Sequence, residues 1–255
     1  MDSKKIMALV LLAGVGLWAA PEGAEARREG RYDQQVQTLV TDELQKRYNF
    51  RGISAEVEDG IVTLSGNVDL YIDKMNAEKK VRKVKNVDGV RNHVEVRGKD
   101  VPDAELREIL ANRLRYDRVG YGIVFNSLTV AVDKGAVTVA GQVRDYPDRD
   151  SALAIVETTQ GVKDVIDEID VAPVSWFDDN LRVSLAHTIY TTPTLQKYAS
   201  DPQAPIRIAV KNGNVELHGV VLNDADRQMA YMQARSVPGV FSVKNELIVA
   251  PAGVK

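Results

Sequence analysis

The sequence predicts an α+β protein of three tandem α-β-β-α-β repeats, each a three-stranded sheet with two helices on one face. Two observations carry this. A stretch with a fixed pattern recurs as "GIVTLSGNV" from Gly60, "GAVTVAGQV" from Gly135 and "GNVELHGVV" from Gly213. Strand-like alternation also lies on both sides of each copy, with one segment of helical spacing before the last alternating run. An internal repeat of this kind says more about architecture than any single motif.

The elements follow in order. Val36, Leu39, Val40 and Leu44 have helical spacing, as do Leu106, Ile109, Leu110 and Leu114, and then Leu181, Leu185 and Ile189. Each segment predicts the first helix of its repeat, and Pro102 suits a helix start. Ile53, Ala55 and Val57 alternate ahead of "EDG"; Leu128, Val130 and Val132 precede "DKG"; Ile206, Ile208 and Val210 precede "KNG". Such turns need positive φ, so each predicts a tight hairpin. A second helix is predicted around Ala77, Val81 and Val84, around Ala152, Val156 and Thr159, and around Ala230, Ala234 and Val237. The last strand carries Val90, Val94 and Val96, then Val165, Ile169 and Val171, then Val243, Leu247 and Val249. The expected boundaries are 1–26 for a leader and 33–97, 102–172 and 178–250 for the repeats.

Gly66, Gly141 and Gly219 stand six residues into each copy, at a parity that puts them on the core face. A residue without Cβ there would let a helix approach the strand, helped by the small Ala77, Ala152 and Ala230. A β-bulge is the alternative reading. Both are structural, since a phosphate-binding fingerprint needs several glycines between a strand and a helix.

The mild net charge of −3 gives no global attraction to nucleic acid, and no nucleic-acid partner is expected. Lys4 and Lys5, the apolar run from Ile6 to Ala20 and "AEA" at 24–26 have the layout of a signal peptide. The run of about 15 residues falls short of the ~20 a spanning helix needs. A mature chain starting at Arg27 and a periplasmic location are expected, with a retained anchor as the alternative. The chain contains no cysteine, so neither a lipid anchor nor a disulfide is expected.

The "GxVxLxGxV" hairpin, the alanine helix and the endings "VPGVFSVKNELIV", "TQGVKDVIDEIDV" and "VKNVDGVRNHVEV" resemble the BON-domain family of bacterial osmotic-shock and nodulation-associated proteins. In the last of these endings Asn86 takes the place of the loop glycine, as the next residue most tolerant of a left-handed backbone. The resemblance implies an exported, non-enzymatic module of envelope and osmotic-stress proteins, some of whose lipid-anchored members associate with anionic phospholipid. It implies no catalytic set and no cofactor.

The residues themselves agree with that. His93, His187 and His218 fall at unrelated repeat positions, which does not suit a metal site. Asp73, Asp148 and Asp226 recur, but Asp145 and Asn223 three residues earlier make them helix-start residues. Asn92, Asp167 and Asn245 share the inward parity of their strands and should be bonded to backbone or sit at a bulge, with a functional polar pocket as the alternative.

One run stands out, "EKKVRKVK" from Glu78 to Lys85. With Ala77, Val81 and Val84 turned inward, Lys79, Lys80, Arg82, Lys83 and Lys85 are left on the outer surface, as a solvated face or as a patch for an anionic membrane. "SWFDDN" links repeats two and three, and Trp176 and Phe177 are expected to seal that junction or to enter a membrane interface. The expected role is therefore peripheral association with anionic phospholipid. The alternative is a scaffold that binds envelope proteins or itself.

Overall fold

The computed structural model describes residues 22–116, 124–199 and 206–251. The expected leader lies outside them up to residue 21. The first helix, α1 (Glu22–Gln45), runs through the expected start at Arg27. Val36, Val40 and Leu44 form its buried stripe, whereas Leu39, expected on the same face, is exposed.

Repeat one continues with β1 (Ile53–Glu58), β2 (Ile61–Val68), α2 (Tyr71–Val81), β3 (Gly89–Asn92) and β4 (Glu95–Val96). Repeat two holds α3 (Asp103–Tyr116), β5 (Ser127–Asp133), β6 (Ala136–Val143), α4 (Tyr146–Glu157) and β7 (Asp164–Val171). Repeat three holds α5 (Trp176–Thr191), a short α6 (Gln196–Ala199), β8 (Arg207–Lys211), β9 (Asn214–Val221), α7 (Asp224–Ser236) and β10 (Ser242–Val249). In each sheet the second strand is central, antiparallel to its hairpin partner and parallel to the strand after the helix. That parallel pairing needs a crossover, which the second helix provides.

The alternation seen in the sequence sets the cores. Val62, Leu64 and Val68 are buried beneath α1 and α2, Val137, Val139 and Val143 beneath α3 and α4, and Val215, Leu217 and Val221 beneath α5 and α7. Ala77, Ala152 and Ala230 are completely buried, so the second helices do approach through an alanine.

The strand glycines do something other than expected. Gly66, Gly141 and Gly219 have φ of +111°, +117° and +125°. A Cβ on Gly66 or Gly141 would overlap the carbonyl oxygen of Gly52 or Ser127 on the neighbouring antiparallel strand, and no helix atom is among its nearest neighbours. There is no inserted residue either, because pairing of β5 with β6 and of β6 with β7 runs straight through Gly141. The glycine is required by a left-handed backbone pressed against the adjacent strand, and both sequence readings of it are corrected.

Each hairpin turn is tied to the first helix by one carboxylate. Asp33 accepts hydrogen bonds from the N–H groups of Asp59 and Gly60, Asp103 from Lys134 and Gly135, and Asp178 from Asn212 and Gly213, all at 2.7–3.0 Å. The turn glycine's carbonyl then accepts the N–H of Asp88, Lys163 or Phe241, which joins the start of the last strand to the same tip. Asn86, Gly161 and Gly239 all take positive φ just before it.

The repeats also share side chains. Tyr71 of α2 is buried with Leu106, Leu110 and Val137 of repeat two, and Phe125, just ahead of β5, is buried with Leu181 and Leu185 of repeat three. Lys211 pairs with Asp170 across the second junction at 3.0 Å.

Candidate functional site

The end of α2 presents the basic run. Val81 is buried and Val84 half-buried, which turns the bases between them outward. They do not form one face. Lys79 points toward repeat two, where it opposes the upward shift that burial imposes on the Glu157 carboxyl. Lys80 points toward α1, adding in small part to the lowering of the Glu43 carboxyl that Lys46 dominates. Arg82 pairs with Glu78 at 2.6 Å. Lys83 and Lys85 lie at the open end beside Asn86, exposed and with no ion pair among the described residues. The helix end, where the backbone dipole favours cations, thus leaves these two as its most available charges.

Trp176 and Phe177 do not seal the junction between repeats. Trp176 is 83% exposed. The Phe177 ring lies over Gly213 and Gly239 at the tip of its own repeat, close to Phe241. Packing of Phe125 and the Lys211–Asp170 pair join the repeats instead. With Phe177 at 51% and Phe241 at 85% exposure, the tip of repeat three is an exposed apolar patch. The same loop position holds Asp88 in repeat one and Lys163 in repeat two, where Lys163 is paired with Asp100.

The recurrent polar residues are structural links. Asp145 and Asn223 cap α4 and α7 by accepting from the N–H of Asp148 and Asp226, while Leu70, at the same place, makes no side-chain cap. Asp73, Asp148 and Asp226 are buried, and each accepts a bond from the segment ahead of the first strand. The donors are Asn49, Asn126 and the Tyr198 hydroxyl. Nothing in the sequence marks these donors, because their identity changes while their geometry does not. Asn126 also accepts from the N–H of Arg144, and the Tyr198 oxygen accepts from the N–H of Leu222, nine residues past the turn glycine in both repeats. Burial first, and then the bond to Asp226, push the Tyr198 pKa up to about 12.

Asn92 and Asn245 bond from the last strand to carbonyls of the second helix, at Lys74 and Arg227. Asp167 cannot donate, and Arg149 of α4 reaches down to it instead. Among the described residues no group of histidine and acidic side chains could hold a metal ion, and no helix is long and apolar enough to cross a membrane.

The BON-domain pattern matches residues 32–98, 102–173 and 194–251. The chain belongs to the BON-domain family. Its third BON match begins after α5, although that helix supplies Leu181, Leu185 and Ile189 to the core and Asp178 to the turn. Osmotically-inducible protein Y of Escherichia coli (strain K12) is 27% identical over 123 residues, which is 47% of this chain and 60% of that protein. CdsD, a structural protein of the type III secretion system of Chlamydia trachomatis, aligns over 86% of this chain and 94% of its own at 15% identity, with a TM-score of 0.24. The PrgH periplasmic domain aligns over 83% and 100% at 12% identity, with a TM-score of 0.21. At such scores the structural likeness carries no inference.

Proposed function

We propose that this BON protein is an exported, non-enzymatic envelope protein of the osmotic-stress response, placed in the periplasm by cleavage before Arg27. In this reading it associates peripherally with anionic phospholipid through the basic end of α2, with Lys83 and Lys85 as the leading charges and Lys79 and Lys80 flanking them. The observation that carries it is the exposed basic end of α2, on a chain that is otherwise mildly acidic. The similarity to an osmotically inducible protein supports the stress role. Each base near an anionic surface contributes roughly 1 kcal/mol, so two leading lysines with two flanking ones give weak, salt-sensitive binding.

The mature protein is expected to sediment with phosphatidylglycerol vesicles but not with phosphatidylcholine vesicles, and less so as salt shortens the Debye length. Replacing the four lysines with glutamine should abolish sedimentation without changing the melting curve. A variant that binds like the wild type would refute the patch. A second reading, a scaffold that binds envelope proteins or a second copy, is favoured by the exposed Trp176, Phe177 and Phe241 cluster. Concentration-dependent oligomers without vesicle binding would select it.

A further inference from the structure

The seam between the first helix and the first strand differs among the repeats. In repeat one Gln37 bridges it by donating to the Ala55 carbonyl at 2.7 Å, and the cleft left beside this bond measures about 340 Å³. In repeat three Arg182 does the same to Val210 at 2.6 Å. Both side chains stand four residues after the aspartate that holds the hairpin turn. The same place in repeat two is Arg107, exposed and without a bond to β5 among the described residues. There no side chain among the described residues bridges the seam and the cleft is larger, with a volume of about 640 Å³, within the range of small-molecule sites.

The lining of that cleft is unusual in charge. Arg107 and Arg115 come from α3, and Arg207 reaches in from β8 of the next repeat, against one acid among the described residues, Glu108. None of the three arginines has an ion pair among the described residues. Burial, and after it the charge of Arg115, lower the Arg207 pKa, with Tyr190 opposing. Crowding half-buried guanidiniums is unfavourable unless an anion offsets it, and the planar fork of arginine suits an oxyanion in two-point contact. Apart from Asn126 the remaining wall is apolar, with Ala111 and Leu128.

We infer that the cleft between α3, β5 and Arg207 binds an oxyanion, a phosphate or carboxylate, carried on a short apolar body. The head sits between Arg115 and Arg207 and the body lies along Ala111 and Leu128. The site is separate from the end of α2 and does not rest on the phospholipid reading given above.

Titration calorimetry of the mature full-length protein with hexyl phosphate tests this. Saturable binding is expected, at least tenfold tighter than that of inorganic phosphate. R115Q/R207Q should weaken it tenfold or more, and R115Q alone, at a helix end, keeps the test decisive if the double variant fails to fold. A111L should weaken hexyl phosphate while leaving inorganic phosphate unchanged. The four-lysine variant should bind as the wild type does, which separates this site from the basic end of α2. Titrating monomeric dihexanoyl phosphatidic acid and phosphatidylglycerol vesicles then distinguishes the source, since a lipid headgroup binds in both arms and a soluble amphiphile only as the monomer. Absence of saturable hexyl phosphate binding, or a folded R115Q variant that binds within twofold of wild type, would overturn the assignment.

Discussion

Asp178, completely buried at the start of α5, holds Gly213 at the hairpin tip 35 residues away, accepting its N–H at 2.9 Å and that of Asn212 at 2.8 Å. The turn has positive φ at both of these residues, so the carboxylate satisfies two amides that the hairpin leaves pointing outward. Asp178→Ala would leave a buried Gly213 amide without its partner. Charge-assisted bonds of this kind are worth about 1.5–3 kcal/mol, and a loss of that order in the urea midpoint is expected. Asp103→Ala, removing a carboxylate that is only half-buried, should cost less, and equal costs would show that burial is not what strengthens the tether.

Gly141→Val should destabilise by at least about 2 kcal/mol, because a β-branched residue is strained at φ +117° and its Cβ would strike the Ser127 carbonyl. Gly141→Ala should recover only part of this, since Cβ is the offending atom. Equilibrium denaturation of both variants checks it, and an alanine variant as stable as wild type would contradict the close strand approach.

Tyr198 makes stability depend on alkaline pH. Its hydroxyl is neutral in the fold and its pKa is raised to about 12, against an ordinary value near 10. A raised folded-state pKa leaves the contribution intact below about pH 10 and removes it as pH climbs toward 12. Tyr190, shifted the same way by burial, adds to the loss. Denaturation midpoints measured from pH 8 to 11.5 should be flat and then fall. Tyr198→Phe should start lower, for want of the bonds to Asp226 and Leu222, and fall less steeply.

Much of this protein was legible in its sequence because the signals are local. A period of two marks a strand and a period near 3.6 marks a helix, so the element order, the alanine approach and the buried valines of β2, β6 and β9 could be read directly. The capping of α4 and α7 by Asp145 and Asn223 was legible for the same reason, with the bonded atoms three residues apart.

Only the tertiary structure decided what meets across variable loops. Asp33, Asp103 and Asp178 reach turn glycines 27, 32 and 35 residues away, so no constant spacing reveals them. Asn126 and Tyr198 do the same work with different atoms, so identity hides their equivalence. The bases of α2 look continuous along the chain, yet α1 and α4 approach from two sides and leave Lys83 and Lys85 as its open charges. Periodicity fixes which way a side chain leaves its own backbone, whereas the neighbour that receives it is set by how separate elements pack.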